Sequence, residues 1–419
     1  MSAEIIKRPI GRRKILQAGL AVGAMQVTSP FIVKALGEEP IRIGLDDPFT
    51  GTYAELGKNE QIGCQLAIDE INKKGGILGR QVELLSEDST SADTGTAVQK
   101  AHKLIERDKV NFLLGNVNSA MALALGEVSS QAGVLHIVTG GHTDAVTGTS
   151  CHWNVFRICN TTRMETNSVS KLLIDKFGKK WYFITPDYAF GHTLQLGFEA
   201  GLKKYGGTEA GSSLTPLGTT DFSSYLIKAQ AANPDVIIFL HAGQDMVNAL
   251  KQAVQFGLDK KFHIAGAQQE LEVLNGLPPN ARIGTWVFEW YWNQPNVPHI
   301  NDFISAMKAQ TGGKMPTARH WFGYAATWTC ALIANEKKTL DAPTLAKGLE
   351  GFTLPPEVAL MPDKVFFRAG DHQLMPDLYV GHAEQGSAPE DLFHVDQIVK
   401  GVDVAPSVEE TGCHLKWPA

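Results

Sequence analysis

Residues 111–138 read NFLLGNVNSAMALALGEVSSQAGVLHIV, and this segment is the most informative about the fold. An apolar run, Asn111–Leu114, is followed by a polar turn, a helical pattern over Ser119–Gln131 and a second apolar run, Leu135–Val138. Two short apolar strands joined by a helix of this length predict a β-α-β unit with parallel strands.

The same alternation extends in both directions along the chain. Further strands are predicted at Ile41–Leu45, Gln81–Leu85, Trp153–Arg157, Trp181–Thr185, Val236–Leu240, His263–Ala265, Val365–Arg368 and Leu378–Val380. Further helices are predicted at Glu60–Lys73, Thr96–Arg107, Met164–Phe177, Thr193–Tyr205, Phe222–Ala232, Asp245–Phe256, His299–Gln310, Trp321–Asn335 and Thr344–Leu349. The sequence therefore predicts an α/β protein with two doubly wound lobes. Ligands of such sheets bind outside the carboxyl ends of the strands, so we expect a ligand cleft between the lobes.

Composition and charge narrow the class of protein. The 419 residues have 43% hydrophobic side chains and a formal charge of -6, with 44 acidic and 38 basic residues. This is an ordinary globular composition, and its acidic balance argues against a nucleic-acid partner.

The first 36 residues carry an export pattern. Arg12 and Arg13 precede a short apolar run, Ala18–Met25, which is well below the roughly 20 residues that span a bilayer. We predict that residues 1–36 are a removable signal of the twin-arginine type and that the mature protein is soluble in the periplasm.

The five cysteines indicate disulfide chemistry rather than a metal or redox motif, because no Cys-x-x-Cys pair occurs. Export permits disulfides. Cys64 and Cys330 lie in helical apolar patterns and are predicted to be buried thiols. A pair among Cys151, Cys159 and Cys413 stays open.

Linear catalytic motifs are absent from the sequence. It contains no phosphate-binding loop, no dinucleotide fingerprint, no nucleophile elbow and no zinc-protease helix. Asp46-Asp47 and residues 371–373 are interpreted as turns rather than metal ligands. We therefore expect no enzyme activity, no metal and no cofactor, although an exported α/β hydrolase remains an alternative.

Several segments carry a family resemblance. Residues 47–57, DPFTGTYAELG, residues 72–79, NKKGGILG, and the later segments 186–191, PDYAFG, and 233–237, NPDVI, are the most informative. From residue 40 onward the chain resembles the periplasmic solute-binding proteins of ABC importers, of the branched-chain amino-acid (leucine/isoleucine/valine) type.

The resemblance implies the type I architecture of that family and a membrane permease as partner. We expect residues 37–157 and 287–360 in the first lobe, and residues 158–286 and 361–419 in the second. A ligand-sensing receptor of the same fold is an alternative function.

The resemblance also implies binding residues. Asn118 and Ser119 are expected to hold a ligand carboxylate, since a helix N-terminus offers free N–H groups and a favourable dipole. The other expected ligand-binding residues are Tyr53, Gly140, Gly141, His142, Tyr188, His241 and Glu270. His142 stands where the family has a small hydroxyl residue, so the ligand is expected to be either an amino acid or an aromatic or other organic acid.

Overall fold

The computed structural model describes residues 39–294 and 296–418. The predicted export signal lies outside the described residues, so the prediction stands as made. Within those two ranges, no helix combines the length and the apolar character that a membrane crossing requires.

Two sheets organise the described chain. The strands are β1 (Ile41–Asp47), β2 (Val82–Asp88), β3 (Phe112–Leu114), β4 (Leu135–Val138), β5 (Val155–Arg157), β6 (Lys180–Pro186), β7 (Thr208–Thr215), β8 (Val236–Phe239), β9 (His263–Gln268), β10 (Thr285–Phe288), β11 (Leu378–Ala383) and β12 (Phe393–Val399). The first sheet has the order β2-β1-β3-β4-β5 and is parallel throughout. The second has the order β12-β11-β10-β9-β8-β6-β7, in which β11 and β12 run antiparallel to their neighbours.

Helices connect and cover the strands. They are α1 (Ala54–Lys73), α2 (Thr94–His102), α3 (Ser119–Ala132), α4 (Thr162–Phe177), α5 (Ala189–Tyr205), α6 (Ser223–Ala232), α7 (Gly243–Gln255), α8 (Leu271–Gly276), α9 (Ile300–Thr311), α10 (Ala318–Lys337), α11 (Ala342–Leu349), α12 (Pro356–Ala359), α13 (Gly401–Val404) and α14 (Val408–Thr411). The two-lobed α/β prediction is confirmed: one lobe is built around each sheet.

Local pattern located most elements but not all of them. The predicted β4 matches residue for residue, because its apolar run is short and fully buried. Strand β7 was not predicted, since TEAGSSLT is a half-exposed edge strand without an apolar run. The predicted strand Val365–Arg368 is wrong: Phe366 and Phe367 form only isolated bridges, to Thr353 and Leu374.

The chain returns to the first lobe after β10. Helices α9, α10 and α11 pack into one apolar core with α1 and the first sheet. Residues 361–374, predicted in the second lobe, contribute Phe367 and Leu374 to this same core. Residues 287 and 288, predicted in the first lobe, form the end of β10 in the second sheet. The exact limits of the two lobes remain a prediction.

Helices α1 and α10 lie unusually close together because glycines form their contact. A Cβ on Gly63 would fall 2.0 Å from the carbonyl oxygen of His320, and one on Gly323 would fall 2.0 Å from that of Glu60. This approach brings Arg319 of α10 beside Glu60 of α1, a contact that belongs to the site described below.

One disulfide joins the loop before β5 to the C-terminal segment. Cys151 and Cys413 are bonded across 262 residues, with their Cα atoms 5.6 Å apart. Cys64 and Cys330 are buried free thiols, as predicted, and Cys159 is a third.

Candidate functional site

The candidate site lies where the carboxyl ends of strands from both sheets meet. The first sheet contributes Asp47 at the end of β1 and the loops that follow β3 and β4. The second sheet contributes the residues that follow β9 and β10. Ligands of open parallel sheets bind at this edge. Hydrogen bonds between the two lobes cross it, so the lobes are closed on each other here.

Asn118 and Ser119 open helix α3, as the sequence predicts. The side-chain oxygen of Asn118 accepts hydrogen bonds from the backbone N–H groups of Ala120 (2.8 Å) and Met121 (3.3 Å), and its amide donates to Ser91. The Asn118 side chain is therefore engaged as a helix cap. The hydroxyl oxygen of Ser119 accepts from the backbone N–H of Thr143 at 3.2 Å.

We expect Asn118→Ala to lower the free energy of unfolding by about 1 kcal/mol, because two N–H groups of α3 lose their acceptor. Urea denaturation measures this. Asn301→Ala, at an exposed position near the start of α9, is the control and should change stability by less than about 0.5 kcal/mol. Equal effects at the two positions would contradict the capping role.

Gly140 and Gly141 let the loop after β4 pass close to charged and apolar groups. A Cβ on Gly140 would lie 2.4 Å from Nη1 of Arg319 and 3.1 Å from Oε1 of Glu60. A Cβ on Gly141 would lie 2.4 Å from the Cβ of Ala122. The loop can therefore reach the centre of the cleft only without side chains at these two positions.

His142 connects the two lobes. Its Nε2 hydrogen-bonds with Oε2 of Glu289 at 2.6 Å, and Glu289 directly follows β10 of the second sheet. The rings of Phe190 and Phe322 pack edge-on against the imidazole, with centroids 5.8 and 6.4 Å away. The imidazole is thus enclosed by aromatic rings and paired with a carboxylate of the opposite lobe.

Arg319 is a buried cation that also bridges the lobes. Its Nε and Nη2 donate to Oε1 of Glu270 at 2.9 and 2.5 Å, and its Nη1 donates to Oε1 of Glu60 at 3.0 Å. Burial alone would lower the pKa of Arg319, but Glu270 and Glu60 hold it well above its usual value. Glu270, expected from the family resemblance to bind the ligand, is therefore already paired with an arginine.

Further acids surround this centre. Burial raises the pKa of Asp47 well above its usual range, and the nearby charge of Glu60 adds to the shift. Burial raises the pKa of Glu165 in the same way, with Glu289 as the second cause. Both shifts favour the protonated carboxyl, because ionised carboxylates lose their hydration here.

Two tyrosines meet across the rim of the cleft. The hydroxyl oxygens of Tyr53, which precedes α1, and Tyr188, which precedes α5, are 2.5 Å apart. At the same rim Asn59 donates to Glu272 at 2.7 Å. These hydrogen bonds hold the closed arrangement at its edge.

His241 follows β8 and is engaged inside the second lobe. Its Nε2 shares a hydrogen bond with the hydroxyl of Thr215 at 2.8 Å, and Phe222 packs edge-on against its ring. Burial lowers the pKa of His241 to about 3, so the imidazole is neutral.

Sequence reasoning did not single out four charged residues of the cleft: Glu60, Glu165, Glu289 and Arg319. Glu165 occupies the buried face of α4 beside Met164, where all the other buried side chains are uncharged. That irregularity was a usable signal. Arg319 was missed because the predicted helix begins at Trp321, three residues after the observed start at Ala318.

Comparisons with known proteins identify the family of the chain. The sequence profile described as "Periplasmic binding protein" matches residues 40–388. The Leu/Ile/Val-binding protein homolog 7 of Brucella suis biovar 1 (strain 1330) is 26% identical over 345 residues, which cover 78% of this chain and 84% of the homolog.

Solved structures give the same result. An amino acid ABC transporter substrate-binding protein from Pseudomonas fluorescens Pf-5 is similar with a TM-score of 0.80 and 27% identity, covering 90% of this chain and 100% of the other. A solute-binding protein from Rhodopseudomonas palustris BisB5, solved with 3,4-dihydroxybenzoic acid, has a TM-score of 0.78 at 22% identity. It covers 87% of this chain and 97% of the other, and this similarity shows the fold alone.

Proposed function

Because the chain belongs to the periplasmic binding protein family, we propose that it is the exported substrate-binding component of an ABC importer. It binds a small carboxylate-bearing solute between its lobes, closes, and presents the closed form to a membrane permease. The family and the fold are those of substrate-binding proteins, and the proposed cycle makes and breaks no covalent bond.

One observation carries the proposal: three separate contacts, two of them fully buried, join the lobes across a single cleft. They pair His142 with Glu289, Arg319 with Glu270, and Tyr53 with Tyr188. A ligand closes a hinge only if it favours the closed arrangement of the lobes. Contacts that form between the closed lobes stabilise that arrangement.

The carboxylate of the solute is proposed to lie near the start of α3. Ser119 contributes its hydroxyl and the positive end of the helix, and Gly140 and Gly141 let the backbone of the loop after β4 pack against the start of α3. Arg319 adds a fixed positive charge beside that loop. Asn118 acts indirectly here, since it holds the helix end in place.

Between the two solute classes, the pairing of Glu270 favours an aromatic or other organic acid without an ammonium group. Oε1 of Glu270 accepts from Arg319, and its Oε2 accepts from the backbone N–H of Gly243 at 3.1 Å. The rings of Phe190 and Phe322 supply apolar surface beside His142. The names of the relatives favour the second candidate, an amino acid.

A thermal-shift panel of aromatic acids, aliphatic amino acids, dicarboxylates and amides tests both candidates. A ligand present at 100 times its dissociation constant should stabilise the protein by about 2.7 kcal/mol. Stabilisation by benzoate-like acids and not by leucine supports the first candidate, and the reverse result supports the second. Stabilisation by none of these solutes would overturn the proposed ligand class.

Removing the contact between the two tyrosines should weaken binding of the ligand. We expect Tyr188→Phe to raise the dissociation constant of the solute about tenfold, because the Tyr53 hydroxyl then has no hydrogen-bond partner when the lobes close. Isothermal titration calorimetry with the best solute of the panel measures this.

The matched control is Tyr182→Phe. The Tyr182 hydroxyl bonds to Ser213 at 2.7 Å within the second lobe, so its loss should affect stability but leave affinity unchanged. Adding Tyr53→Phe to Tyr188→Phe should change affinity little, because the two residues share one interaction. Additive losses from the two substitutions would contradict the shared contact.

A further inference from the structure

Three potential metal ligands from opposite lobes converge inside the cleft. Nε2 of His142 lies 2.6 Å from Oε2 of Glu289 and 3.8 Å from Oε1 of Glu165. One ligand atom from each residue can be chosen so that all three lie within 4.8 Å of one another, and all three residues are buried. His142 belongs to the first lobe, whereas Glu165 and Glu289 extend from elements of the second.

Buried polar atoms of two residues at this cluster have no hydrogen-bond partner among the described residues. Both carboxylate oxygens of Glu165 lack a hydrogen-bond partner among the described residues, although the residue is 0% exposed. Oε1 of Gln268, a residue that is 4% exposed, is also unpartnered. Buried polar atoms are nearly always satisfied in native proteins, so this group of atoms indicates a ligand.

Gln268 can supply a fourth donor. Its Nε2 lies 3.4 Å from both Nε2 of His142 and Oε2 of Glu289. The same Nε2 lies 3.4 Å from Oε1 of Glu270. Turning the amide by half a rotation gives up that hydrogen bond and places Oε1 toward His142 and Glu289. One imidazole nitrogen and three oxygens then surround a common point.

The spacing of these atoms suits a metal ion better than an organic ammonium group. Ligands about 2.0–2.1 Å from a tetrahedral metal are separated from each other by about 3.3 Å. Acceptors about 2.8 Å from an ammonium nitrogen are separated by about 4.6 Å. The observed separations from His142, 2.6 and 3.8 Å, lie on either side of the metal value and below the ammonium value.

We propose that His142, Glu165 and Glu289, assisted by Gln268, bind one divalent transition-metal ion between the two lobes. A set of one imidazole and carboxyl or amide oxygens suits Zn²⁺ or Mn²⁺. The ion binds in addition to the organic solute. The ion compensates the negative charge of the acidic side chains that Arg319 does not contact. It also links the loop after β4 to the end of β10.

No sequence pattern indicated this site, and no metal was expected. Its ligands stand at positions 142, 165 and 289, far apart and in no short motif. Only the closure of the two lobes brings them together.

Calorimetric titration of Zn²⁺ and, separately, Mn²⁺ into the chelator-treated full chain tests the proposal. We expect one cleft site, and we expect Glu165→Gln to raise the dissociation constant of the metal at least about tenfold. The glutamine has the size of a protonated glutamic acid, so the variant should keep the thermal midpoint of the wild type.

Two controls separate the cleft from other binding. Asp377→Asn changes a buried carboxyl outside the cleft, which accepts a hydrogen bond from the backbone N–H of Asp363. His394→Gln removes half of an exposed histidine pair, in which the rings of His382 and His394 lie 5.1 Å apart. Neither control should weaken the cleft site.

Three outcomes overturn the proposal. The first is the absence of metal uptake by the wild type, and the second is an equal loss of metal affinity in Glu165→Gln and in either control. The third is a Glu165→Gln variant that does not fold, together with a His142→Gln variant that still binds the metal fully. If Glu165→Gln weakens an amino-acid ligand and leaves the metal unaffected, the cluster binds an ammonium group instead. The organic solute is titrated separately, so failure of the metal site leaves the proposed import function testable by itself.

Discussion

Replacing Arg319 with methionine should lower the free energy of unfolding by about 3–5 kcal/mol at pH 7. The side chain is 1% exposed and is hydrogen-bonded to Glu60 and Glu270, which are themselves buried. Methionine fills a similar volume but leaves two buried carboxylates without their cation. Chemical denaturation of the wild type and the variant under the same buffer conditions measures the difference.

Removing one of the two carboxylates should restore part of the stability that Arg319→Met loses. Arg319→Met/Glu270→Gln should be more stable than the single variant, because one uncompensated charge is removed.

Arg42→Met provides the comparison for a surface pair. Arg42 donates to Glu83 at 2.8 Å near the solvent, where water screens an ion pair and its loss changes stability little. Similar losses for Arg42→Met and Arg319→Met would contradict the central position of Arg319 in the cleft.

Removing the disulfide should have the second large effect. Cys413→Ser opens a loop of 262 residues between bonded cysteines, and we expect a loss of about 3–5 kcal/mol. The bond restrains the unfolded chain and holds the C-terminal segment against the loop before β5. The shift of the denaturation midpoint in the oxidised protein reports this loss.

Reduction supplies the internal control. Dithiothreitol should destabilise the wild type and leave Cys413→Ser unchanged, because the three remaining cysteines other than Cys151 are buried free thiols. Cys151→Ser and the double variant should match the single Cys413→Ser. A further loss in the double variant would show that the two sulfurs contribute separately rather than through one bond.

Most of the fold could be predicted from local sequence. The start of α3 is an example: Asn118 caps the helix through neighbours two and three residues away, so the signal lies within one turn. The apolar run of β4 likewise defined its own strand. The edge strand β7 could not be found this way, because its pairing partner, β6, determines it and its own side chains are polar or small.

The chemistry of the site depends on long-range contacts and could be predicted only in part. The family resemblance placed His142 and Glu270 at the cleft, yet their partners stand 147 and 49 positions away. Arg319 and Glu60 are separated by 259 positions and meet because glycines let α1 and α10 approach. No periodicity or short motif in a single sequence encodes such pairs.

Closure of the two lobes around a solute is the central claim, and small-angle X-ray scattering tests it most directly. The full chain is measured alone and with a saturating concentration of the best solute from the thermal-shift panel. We predict that the solute lowers the radius of gyration, because it favours the closed contacts at Tyr188, Glu270 and Glu289. An unchanged radius of gyration with bound solute would contradict the account.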